Sequence, residues 1–363
     1  MWDFSWLERR WPGAGYEDWD RALDELADRG YDAVRIDAYP HLVSAGPDKT
    51  WNLLPAWDQS LWGAQSRIQV RVGPELRQFI AACRRRGILV GLSTWNRLDT
   101  EGHRNRMRTP MDQARAWRDT LRYLDEAGLL DALFYVDLSN EFPVPFWNPY
   151  LYDGNENAPE SEEKQRASAE MTSWMRQAIG DIRGEFPGLD YTFSFCSQYR
   201  GWEEQDVSML DFLEPHIWMS HPVTSDWNER VGYNFEKFDP AGFDHIVENG
   251  YRIYRENKAR FDAALIGEIE RIAAWSRASG LPCITTECWA VVDYKDWPGL
   301  DWGWVKDLTA MGVEQAARHG RWIAVATSNF CGPQFVGMWR DIAWHRRLTD
   351  LIKTAPIDED MQG

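Results

Sequence analysis

Short apolar runs and longer amphipathic stretches alternate along most of this 363-residue chain. Apolar runs of about four to eight residues between turn formers are typical of buried strands, whereas apolar positions three or four apart are typical of helices. We predict strands at residues 2–6, 31–38, 88–95, 132–141, 191–198, 210–218, 281–287 and 321–329. We predict helices at residues 16–29, 74–86, 110–127, 161–180, 243–279 (broken near Gly250), 304–319 and 338–351.

Alternation of strands and helices over the whole chain predicts an α/β fold. The pattern favours a (β/α)8 TIM barrel, formed as a single domain over residues 1–363, with eight strands that each lead into a helix. A doubly wound open sheet is the alternative. It usually has fewer units and a Gly-rich first turn, and no GxGxxG pattern follows the first predicted strand.

The two kinds of connection differ in length. Gly30, Gly87, Gly128 and Gly280 each lead from a predicted helix almost directly into the next strand. The connections from strands to helices are long, at residues 39–73, 142–160, 219–239 and 290–303. In a barrel, all strand-to-helix loops lie on the C-terminal face, where active sites are built. We therefore predict that this one face carries the function.

Composition narrows the function classes. The hydrophobic content of 44% and charged content of 27% are those of a soluble globular protein. A net charge of -17 argues against nucleic acid or an anionic membrane surface as a partner. No stretch reaches the ~18 apolar residues that a membrane helix needs. The oligomeric state stays open, because barrels associate through surfaces that leave no clear pattern here.

Cysteine usage and the first residues indicate a cytoplasmic protein. The five cysteines are an odd number and include no CxxC spacing, which favours a reduced environment. The opening sequence MWDFS has neither a basic nor an apolar region of the kind found in a secretory signal.

Many of the 22 tryptophans fall in the long loops or at strand ends. Flat aromatic faces match the apolar C–H face of a pyranose ring, and carboxylates, amides and guanidinium groups match its hydroxyls. The aromatic residues concerned are Trp51, Trp57, Trp62, Trp147, Tyr150, Tyr152, Trp218, Trp227, Tyr233, Trp289, Trp297, Trp302 and Trp304. We favour a carbohydrate-binding cleft over the alternative, in which these side chains only pack loops onto the barrel.

Two glutamates each close a predicted strand. Glu141 ends the fourth strand in the sequence LSNE, and Glu287 ends the seventh in ITTE. Glycoside hydrolysis commonly uses two carboxyl groups that flank the bond, one protonated and one ionised. A separation of about 5 Å gives retention of configuration, and ~6.5–9.5 Å gives inversion.

Asn140-Glu141 at the end of strand four, with Glu287 at the end of strand seven, resembles the retaining glycoside hydrolases of the clan that contains family 5. That clan includes cellulases, β-mannanases and β-galactosidases, and the chain looks most like its cellulase-like branch. The resemblance covers nearly the whole length. It implies that Glu141 is the acid/base, that Glu287 is the nucleophile and that no metal or cofactor is needed.

The resemblance also implies roles for neighbouring residues. Arg35 matches an arginine that keeps the nucleophile ionised, Asn140 the amide that bonds the sugar 2-hydroxyl, and His216 the histidine of a His-x-Tyr pattern. Trp218 replaces the usual tyrosine, Trp95 lies where a histidine is expected, and Asn329 where the last strand usually ends in tryptophan. The predicted substrate-binding residues are Arg35, Asp37, Trp95, Asn140, His216, Trp218, Trp289 and Asn329.

Other interpretations remain open. Glu141, His216 and Glu287 could hold a divalent ion in a metal-dependent sugar isomerase or epimerase, and a barrel without catalysis could simply bind sugar. Glu214 is the rival catalytic carboxylate, and Asp137 is predicted to be structural. Within the hydrolase interpretation we expect exo action on short β-linked oligosaccharides or glycosides, because bulky loops are expected to close one end of the cleft.

Overall fold

The computed structural model describes residues 1–56, 61–159, 161–234 and 240–361, without the side chain of Glu163; Trp57 lies outside these residues. The strands are β1 (Ala33–Asp37), β2 (Trp51–Leu53), β3 (Ile68–Val70), β4 (Leu89–Ser93), β5 (Leu133–Asp137), β6 (Tyr191–Thr192), β7 (Ile217–Trp218), β8 (Cys283–Thr285), β9 (Cys288–Trp289) and β10 (Trp322–Val325). The helices are α1 (Trp19–Asp28), α2 (Pro40–Ala45), α3 (Val72–Arg84), α4 (Pro110–Asp125), α5 (Ala169–Glu185), α6 (Trp227–Val231), α7 (Pro240–His245), α8 (Tyr251–Glu256), α9 (Lys258–Ser279), α10 (Gly303–Arg318), α11 (Val336–Trp339) and α12 (Ile342–Thr354).

Parallel strands follow one another around a (β/α)8 barrel, as predicted. The order β1-β4-β5-β6 forms one sheet, and β7-β9 and β8-β10 form two further parallel pairs. Single parallel bridges, between Phe195 and Pro215 and between Leu213 and Cys283, join these sheets. Between β10 and Trp2 the described residues form no backbone ladder, and the Trp2 indole N–H donates to Asn329 Oδ1 across this seam at 3.2 Å.

The prediction of a strand at residues 2–6 is wrong for all but its start. Trp2 makes one parallel bridge to Arg35, and the chain then forms a 3₁₀ helix, Phe4–Leu7. The Asp3 side chain caps this helix by accepting from the Ser5 N–H at 2.6 Å. A local side-chain cap thus competes successfully with the extended conformation.

A helix is expected after each of the eight barrel strands, but the described residues contain no α-helix directly after the fifth barrel strand, which is β6. In residues 193–216, all of which are described, the helical structure is limited to a 3₁₀ turn at Trp202–Glu204. Predicted helix 243–279 also differs, because a π-helical turn, Ile246–Gly250, carries the helix through Gly250. The break comes at Asn257, whose φ of -122° interrupts the helix before α9. Predicted helix 161–180 begins late, at Ala169, where Ser168 caps it.

The long strand-to-helix connections contain secondary structure of their own. The first holds α2 and the antiparallel hairpin β2-β3, and the connection after the sixth strand holds α6. Tyr39, Asn96 and Glu141 follow β1, β4 and β5, and their φ angles of 48°, 46° and 46° are left-handed. Such backbone is costly for residues with a Cβ and persists where the surroundings enforce it, often at functional sites.

Apolar faces of the helices and strands form one continuous core. All five cysteines are buried and unpaired, consistent with their use as small apolar side chains. Among the described helices, none combines the length and the apolar character needed to cross a membrane.

Two glycine-to-alanine substitutions should change the stability of the protein in opposite directions, because only one of the two glycines packs closely against the barrel. A Cβ at Gly312 would lie 2.6 Å from Cγ of Trp289, whereas one at Gly180 in α5 meets nothing within 4 Å. We expect Gly312→Ala to lower the free energy of unfolding by about 1–3 kcal/mol through overpacking. The control, Gly180→Ala, should raise it by about 0.5–1 kcal/mol. Chemical denaturation measures both, and a neutral Gly312→Ala would contradict the close contact.

Candidate active site

Arg35 lies at the centre of the candidate site. Strand β1 directs its side chain into the barrel, where the residue is 1% exposed. Its guanidinium contacts Asp137 Oδ2 at 2.7 Å, Glu287 Oε1 at 2.9 Å and Glu214 Oε1 at 3.2 Å. One positive charge is therefore shared by three buried carboxyl groups. The group is also centred 4.4 Å from the ring of Trp95, a favourable cation–π arrangement.

Arg35 also fixes the orientation of Asn140. Its Nη2 donates to Asn140 Oδ1 at 2.8 Å, so the amide nitrogen points the other way. This Nδ2 is buried and has no hydrogen-bond partner among the described residues. A buried donor without a partner is costly, so the atom is suited to an oxygen of a bound molecule.

Glu141 is held by neutral donors. Its backbone N–H donates to Ser194 Oγ at 3.0 Å. One carboxylate oxygen accepts from Nε1 of Trp147 at 2.9 Å, and the other lies 3.0 Å from Nδ1 of His216. Because a carboxylate only accepts, Nδ1 of His216 carries the proton in this contact. The second ring nitrogen, Nε2, is buried without a partner in the described part of the chain.

Glu141 and Glu287 face each other across the barrel mouth. A ring nitrogen of His216 and one carboxyl oxygen each from Glu141 and Glu287 lie within 4.8 Å of one another. An oxygen of each carboxyl is therefore at most 4.8 Å from an oxygen of the other. Their side chains are 13% and 8% exposed, so both carboxyl groups are largely shielded from water.

The two carboxyl groups have different electrostatic surroundings. Burial raises the pKa of Glu287, the charge of Glu141 adds to the rise, and Arg35 opposes it without cancelling it. Burial alone would also raise the pKa of Glu141, but the hydrogen bond from His216 brings it below its usual value. Burial lowers the pKa of His216, which favours the neutral imidazole. The two carboxyls interact closely and titrate as a pair.

Glu214 lies below this pair and takes part in the same network. Burial raises its pKa to about 7 despite Arg35, with a further rise from Asp137. Thr286 Oγ1 donates to Glu214 Oε1 at 2.8 Å, and the other oxygen has no partner among the described residues. Glu214 therefore supports the site from beneath, and its separation from solvent makes it a poor catalyst.

The structure brings five predicted site residues into one network of polar contacts. Arg35, Asn140, Glu141, His216 and Glu287 form the contacts above. Trp218 lies beside them: its ring is 5.9 Å from that of His216, and its indole N–H is buried without a partner among the described residues. No hydrogen bond joins Trp218 to Glu287, so this tryptophan does not replace the bond of the expected tyrosine.

Asp37, Trp289 and Asn329 act as structural supports. Both Asp37 oxygens accept backbone N–H groups, from Tyr39 at 2.7 Å and Trp95 at 3.1 Å. Trp289 is buried against Gly312 of α10 and donates to the Ala326 carbonyl. Asn329 binds Trp2 and the Val292 carbonyl. The prediction that these three contact substrate finds no support in their positions.

Trp95 and most loop aromatic residues are also packed. Trp95 is 1% exposed beneath Arg35. Trp51 and Trp227 are fully buried, and Trp227 packs on Trp304 at 5.8 Å. These residues therefore fit the alternative in which aromatic side chains pack the loops onto the barrel. Among the described contacts of the loop tryptophans, Trp147 alone donates a hydrogen bond to one of the two candidate catalytic carboxylates, Glu141.

Sequence analysis missed Ser194 and Thr286 as parts of the site. Ser194 Oγ lies 3.2 Å from Arg35 Nη2 and 2.9 Å from Asp137 Oδ2. The alternation of Thr192, Ser194 and Cys196 along the fifth strand is a signal that could have found it, because alternate residues share one face of a strand.

Comparison with known proteins gives a consistent assignment. A family model described as sugar-binding cellulase-like matches residues 1–353. No curated protein sequence matches the chain. The similar solved structures include a Parabacteroides distasonis protein described as a glycoside hydrolase, 46% identical, with a TM-score of 0.95 over 100% of this chain and 94% of that chain.

More distant structures show the same fold. A family 5, subfamily 18 glycoside hydrolase from Streptomyces cattleya, in complex with GlcNAc, has a TM-score of 0.54 at 11% identity and covers 99% of this chain and 82% of that chain. A Bifidobacterium longum subsp. longum enzyme of that subfamily, in complex with Manβ1-4GlcNAc, has a TM-score of 0.53 at 13% identity, with coverages of 99% and 80%.

Removal of the shared cation should destabilise the protein in a pH-dependent way. Arg35→Met leaves buried carboxyls without their partner, and we expect a loss of about 3–5 kcal/mol at pH 7. Without Arg35, the folded-state pKa values of Glu214 and Glu287, which are already raised, rise further. An acid with a raised folded pKa loses stability as pH increases, so the deficit should be larger at pH 8 than at pH 5.

A buried arginine elsewhere provides the control for this variant. Arg321 is 1% exposed and pairs at 2.7 Å with Asp360, whose side chain is 61% exposed. Arg321→Met leaves that carboxylate in water, so its loss of stability should be nearly the same at pH 5 and pH 8. Denaturant unfolding at both pH values measures the difference, and equal pH dependence in the two variants would refute the shared-charge description.

Proposed function

The chain belongs to the sugar-binding cellulase-like family, and on that premise we propose that it cleaves β-linked glycosides by a retaining double displacement. The 46% identical structural relative, described as a glycoside hydrolase, supports a glycosidase activity. In the proposed reaction Glu287 is the nucleophile and Glu141 the acid/base. The observation that carries the proposal is a close carboxyl pair with unlike partners, a fixed cation on Glu287 and neutral donors on Glu141.

The spacing of the pair supports retention. Carboxyl groups of retaining enzymes lie about 5–5.5 Å apart, whereas inverting enzymes need ~6.5–9.5 Å to admit a water. Oxygens of Glu141 and Glu287 lie within 4.8 Å. That gap is too short for a water to attack from the far side of the sugar.

The proposed reaction has two steps. Glu287 attacks the anomeric carbon while Glu141 gives its proton to the leaving oxygen, which forms a glycosyl-enzyme ester. Glu141, now a carboxylate, takes a proton from water as that water attacks the anomeric carbon, and Glu287 leaves. Arg35 stabilises the carboxylate of Glu287 before the first step and after the second.

One proton held by the pair is what this scheme requires. The pKa of Glu287 is raised by burial and then by the charge of Glu141, whereas the hydrogen bond from His216 lowers the pKa of Glu141; we infer that a single proton lies on Glu287 in the ligand-free site. Catalysis needs the proton on Glu141. A substrate between the carboxyls displaces water from Glu141, which raises its pKa, and we propose that this transfers the proton.

Three buried polar atoms support a sugar as the bound molecule. Asn140 Nδ2, His216 Nε2 and Trp218 Nε1 have no partner among the described residues, and all belong to residues at the ends of the fourth and sixth strands. Sugar hydroxyls both donate and accept hydrogen bonds. One sugar could therefore accept from Asn140 Nδ2 and Trp218 Nε1 and donate to His216 Nε2. The 2-hydroxyl is assigned to Asn140, next to Glu141.

We infer exo action from a stack of four aromatic side chains on one side of the barrel mouth. Trp95, Trp2, Trp62 and Phe330 stack in sequence, with ring separations of 5.6, 5.5 and 5.9 Å. This stack joins the ends of the first, third and eighth strands, and its rings are buried; we infer that it closes this side of the mouth to a long chain. Efficient cleavage within a long polysaccharide would contradict this part of the proposal.

A metal-dependent isomerase is the second candidate, favoured by the group of Glu141, His216 and Glu287. Arg35 argues against it, because its guanidinium lies 2.9 Å from Glu287 Oε1 and would repel a divalent cation at that oxygen. Loss of activity on chelation, restored by a divalent metal, would favour this candidate over the hydrolase.

Variants of the two glutamates should differ in their response to the leaving group. We expect Glu287→Ala to lower kcat by about 10⁴-fold or more on every substrate, because no nucleophile remains. Glu141→Ala should lose about 10²–10⁴-fold on alkyl β-glycosides, which need a general acid. With a dinitrophenyl β-glycoside, whose leaving group needs no proton, the first step of the Glu141→Ala reaction should stay fast. Dinitrophenolate should then be released in an initial burst.

Circular dichroism and thermal unfolding of both variants provide the folding control. Equal losses for Glu141→Ala on both kinds of leaving group would refute its role as acid. A wild-type protein that binds sugars but turns over no member of a broad β-glycoside panel would support the binding protein without catalysis.

Retention predicts the anomer formed first. With an active aryl β-glycoside, proton NMR should show the β-anomer of the free sugar before mutarotation, because two inversions restore the configuration. Initial formation of the α-anomer would exclude the double displacement while leaving hydrolysis itself intact.

A further inference from the structure

The turn that carries Glu141 is held by one buried side-chain amide. Asn148, in the loop after the fourth strand, is fully buried. Its Nδ2 lies 3.0 Å from the Val144 carbonyl oxygen, and 3.3 and 3.4 Å from those of Asn140 and Glu141. Because carbonyl oxygens only accept hydrogen bonds, these contacts fix which end of the amide is the nitrogen. Three carbonyls of one turn therefore converge on a single donor, where the Glu141 backbone is left-handed.

The oxygen of the same amide joins a chain of neutral hydrogen bonds. The Ser139 hydroxyl donates to Asn148 Oδ1 at 2.5 Å, and Asn96 Nδ2 donates to that hydroxyl oxygen at 3.0 Å. Tyr150 supplies a second hydroxyl donor to Asn148 Oδ1 at 2.9 Å. Asn96 Nδ2 also donates to the backbone carbonyl of Trp147 at 2.9 Å. We call Asn96, Ser139 and Asn148 the polar clamp.

The polar clamp reaches Glu141 by two routes. Through Asn148 it holds the backbone of Glu141 itself. Through Asn96 it holds the backbone of Trp147, whose indole Nε1 donates to Glu141 Oε2 at 2.9 Å. The backbone conformation of this carboxylate and the position of one of its donors are therefore set by the same group of side chains.

Direction is what the polar clamp adds to ordinary packing. All three of its residues are completely buried, and apolar side chains could fill the same space without burying amides and a hydroxyl. Hydrogen bonds differ from apolar contacts because they fix angles as well as distances. Glu141 needs such support, since a glutamate adopts a left-handed backbone less readily than an asparagine does.

The polar clamp carries no charge of its own. The titratable groups that interact electrostatically with Glu141 lie at the ends of other strands: Cys196 at the fifth, His216 and His221 at the sixth, and Glu287 at the seventh. The hydrogen bond from Trp147 contributes to the lowered pKa of Glu141. Loss of the polar clamp therefore changes the surroundings of Glu141 by displacing a donor, without adding or removing a charge.

We propose that the polar clamp is a positioning device for the acid/base, which holds the Glu141 carboxyl in line with the leaving oxygen. Asn96, Ser139 and Asn148 act through the Glu141 backbone and the Trp147 indole. The inference rests on the proposed function, since proton donation by Glu141 is what this positioning serves. The placement of the indole is testable without turnover.

Leaving groups with different needs for a proton test the polar clamp in Asn96→Ala, Ser139→Ala and Asn148→Ala. The comparison uses kcat/KM for a methyl and a dinitrophenyl β-glycoside of the same sugar. A misplaced acid slows only the reaction that needs its proton. We expect losses of about tenfold or more on the methyl glycoside and about twofold or less on the dinitrophenyl glycoside. Equal losses on both substrates overturn the proposal.

Trp147→Phe keeps an aromatic ring and removes the indole N–H. Loss of a donor to the ionised carboxylate raises the pKa of Glu141. With the remaining proton on Glu287, protonation of Glu141 forms the acid limb of the kcat/KM profile, so this limb should move to higher pH. Asn96→Ala should move it in the same direction, because it releases the backbone of Trp147. An acid limb that stays in place in both variants overturns the proposal.

Asn257→Ala is the control for the loss of a side-chain amide. Asn257 lies between α8 and α9, and its Nδ2 donates to the Ile253 carbonyl at 2.9 Å. This variant should keep the wild-type ratio of the two kcat/KM values and the wild-type acid limb, and an equal change in it overturns the proposal. If Asn148→Ala fails to fold, as thermal unfolding would show, Ser139→Ala and Trp147→Phe provide the test.

Indole NMR of the full chain without substrate separates the two proposals. The Trp147 Nε1–H resonance, identified by its loss in Trp147→Phe, should shift with pH in the wild type and lose this dependence in Glu141→Gln. The variants of the polar clamp should displace it. This result in a protein that turns over no β-glycoside would support the positioning and reject the proposed function. Turnover with a resonance that ignores these variants would support the proposed function and overturn the positioning.

Discussion

The candidate site depends on one buried positive charge that several acidic groups share. A fully buried guanidinium is costly unless charges and hydrogen bonds surround it, and Arg35 has both, with Asp137, Glu287 and Glu214 at 2.7–3.2 Å. Because each partner comes from a different strand, the arginine holds the fourth, sixth and seventh strand ends in a fixed relation. The same contacts orient Asn140 and Glu287, so that stability and the geometry of the site have a common origin.

This shared charge also explains how two similar carboxyl groups can differ. Glu287 lies on the cation, whereas Glu141 takes hydrogen bonds from His216 and Trp147 on a backbone with a φ of 46°. The left-handed backbone turns the Glu141 carboxylate across the mouth, away from the direction the strand would give it. Burial is the main reason why the pKa of Glu214 is raised to about 7; Arg35 opposes this rise and the charge of Asp137 adds to it.

Sequence analysis predicted the residues whose position follows from strand ends alone. Arg35, Asn140, Glu141, His216 and Glu287 lie in or directly after apolar runs that the sequence marks as strands, and the C-terminal ends of barrel strands meet on one face. Trp289, also predicted to bind substrate, lies on the separate strand β9 and packs against Gly312 of α10, a contact that the sequence does not reveal. Asp37 and Asn329, predicted to bind substrate, bond nearby backbone in the structure, and no spacing in a sequence distinguishes such a bond from a sugar contact. The shared charge on Arg35 depends on three-dimensional convergence that one sequence does not encode visibly.

The two sides of the barrel mouth are built from different chemistry, and this bears on selectivity. On the side of the first and eighth strands, stacked rings of Trp2, Trp62 and Phe330 form a rigid apolar wall. On the side of the fourth and fifth strands, the buried guanidinium of Arg166 donates to the backbone carbonyls of Phe142 and Phe193. Apolar walls discriminate by shape and weakly between groups of similar size, whereas buried polar groups reject molecules that leave them unpaired. Arg35 is held from both sides of the barrel, by Trp95 after the third strand and by Asp137, Asn140 and Ser194 on the fourth and fifth strands. A change on either side that moves these residues would therefore also move the central pair.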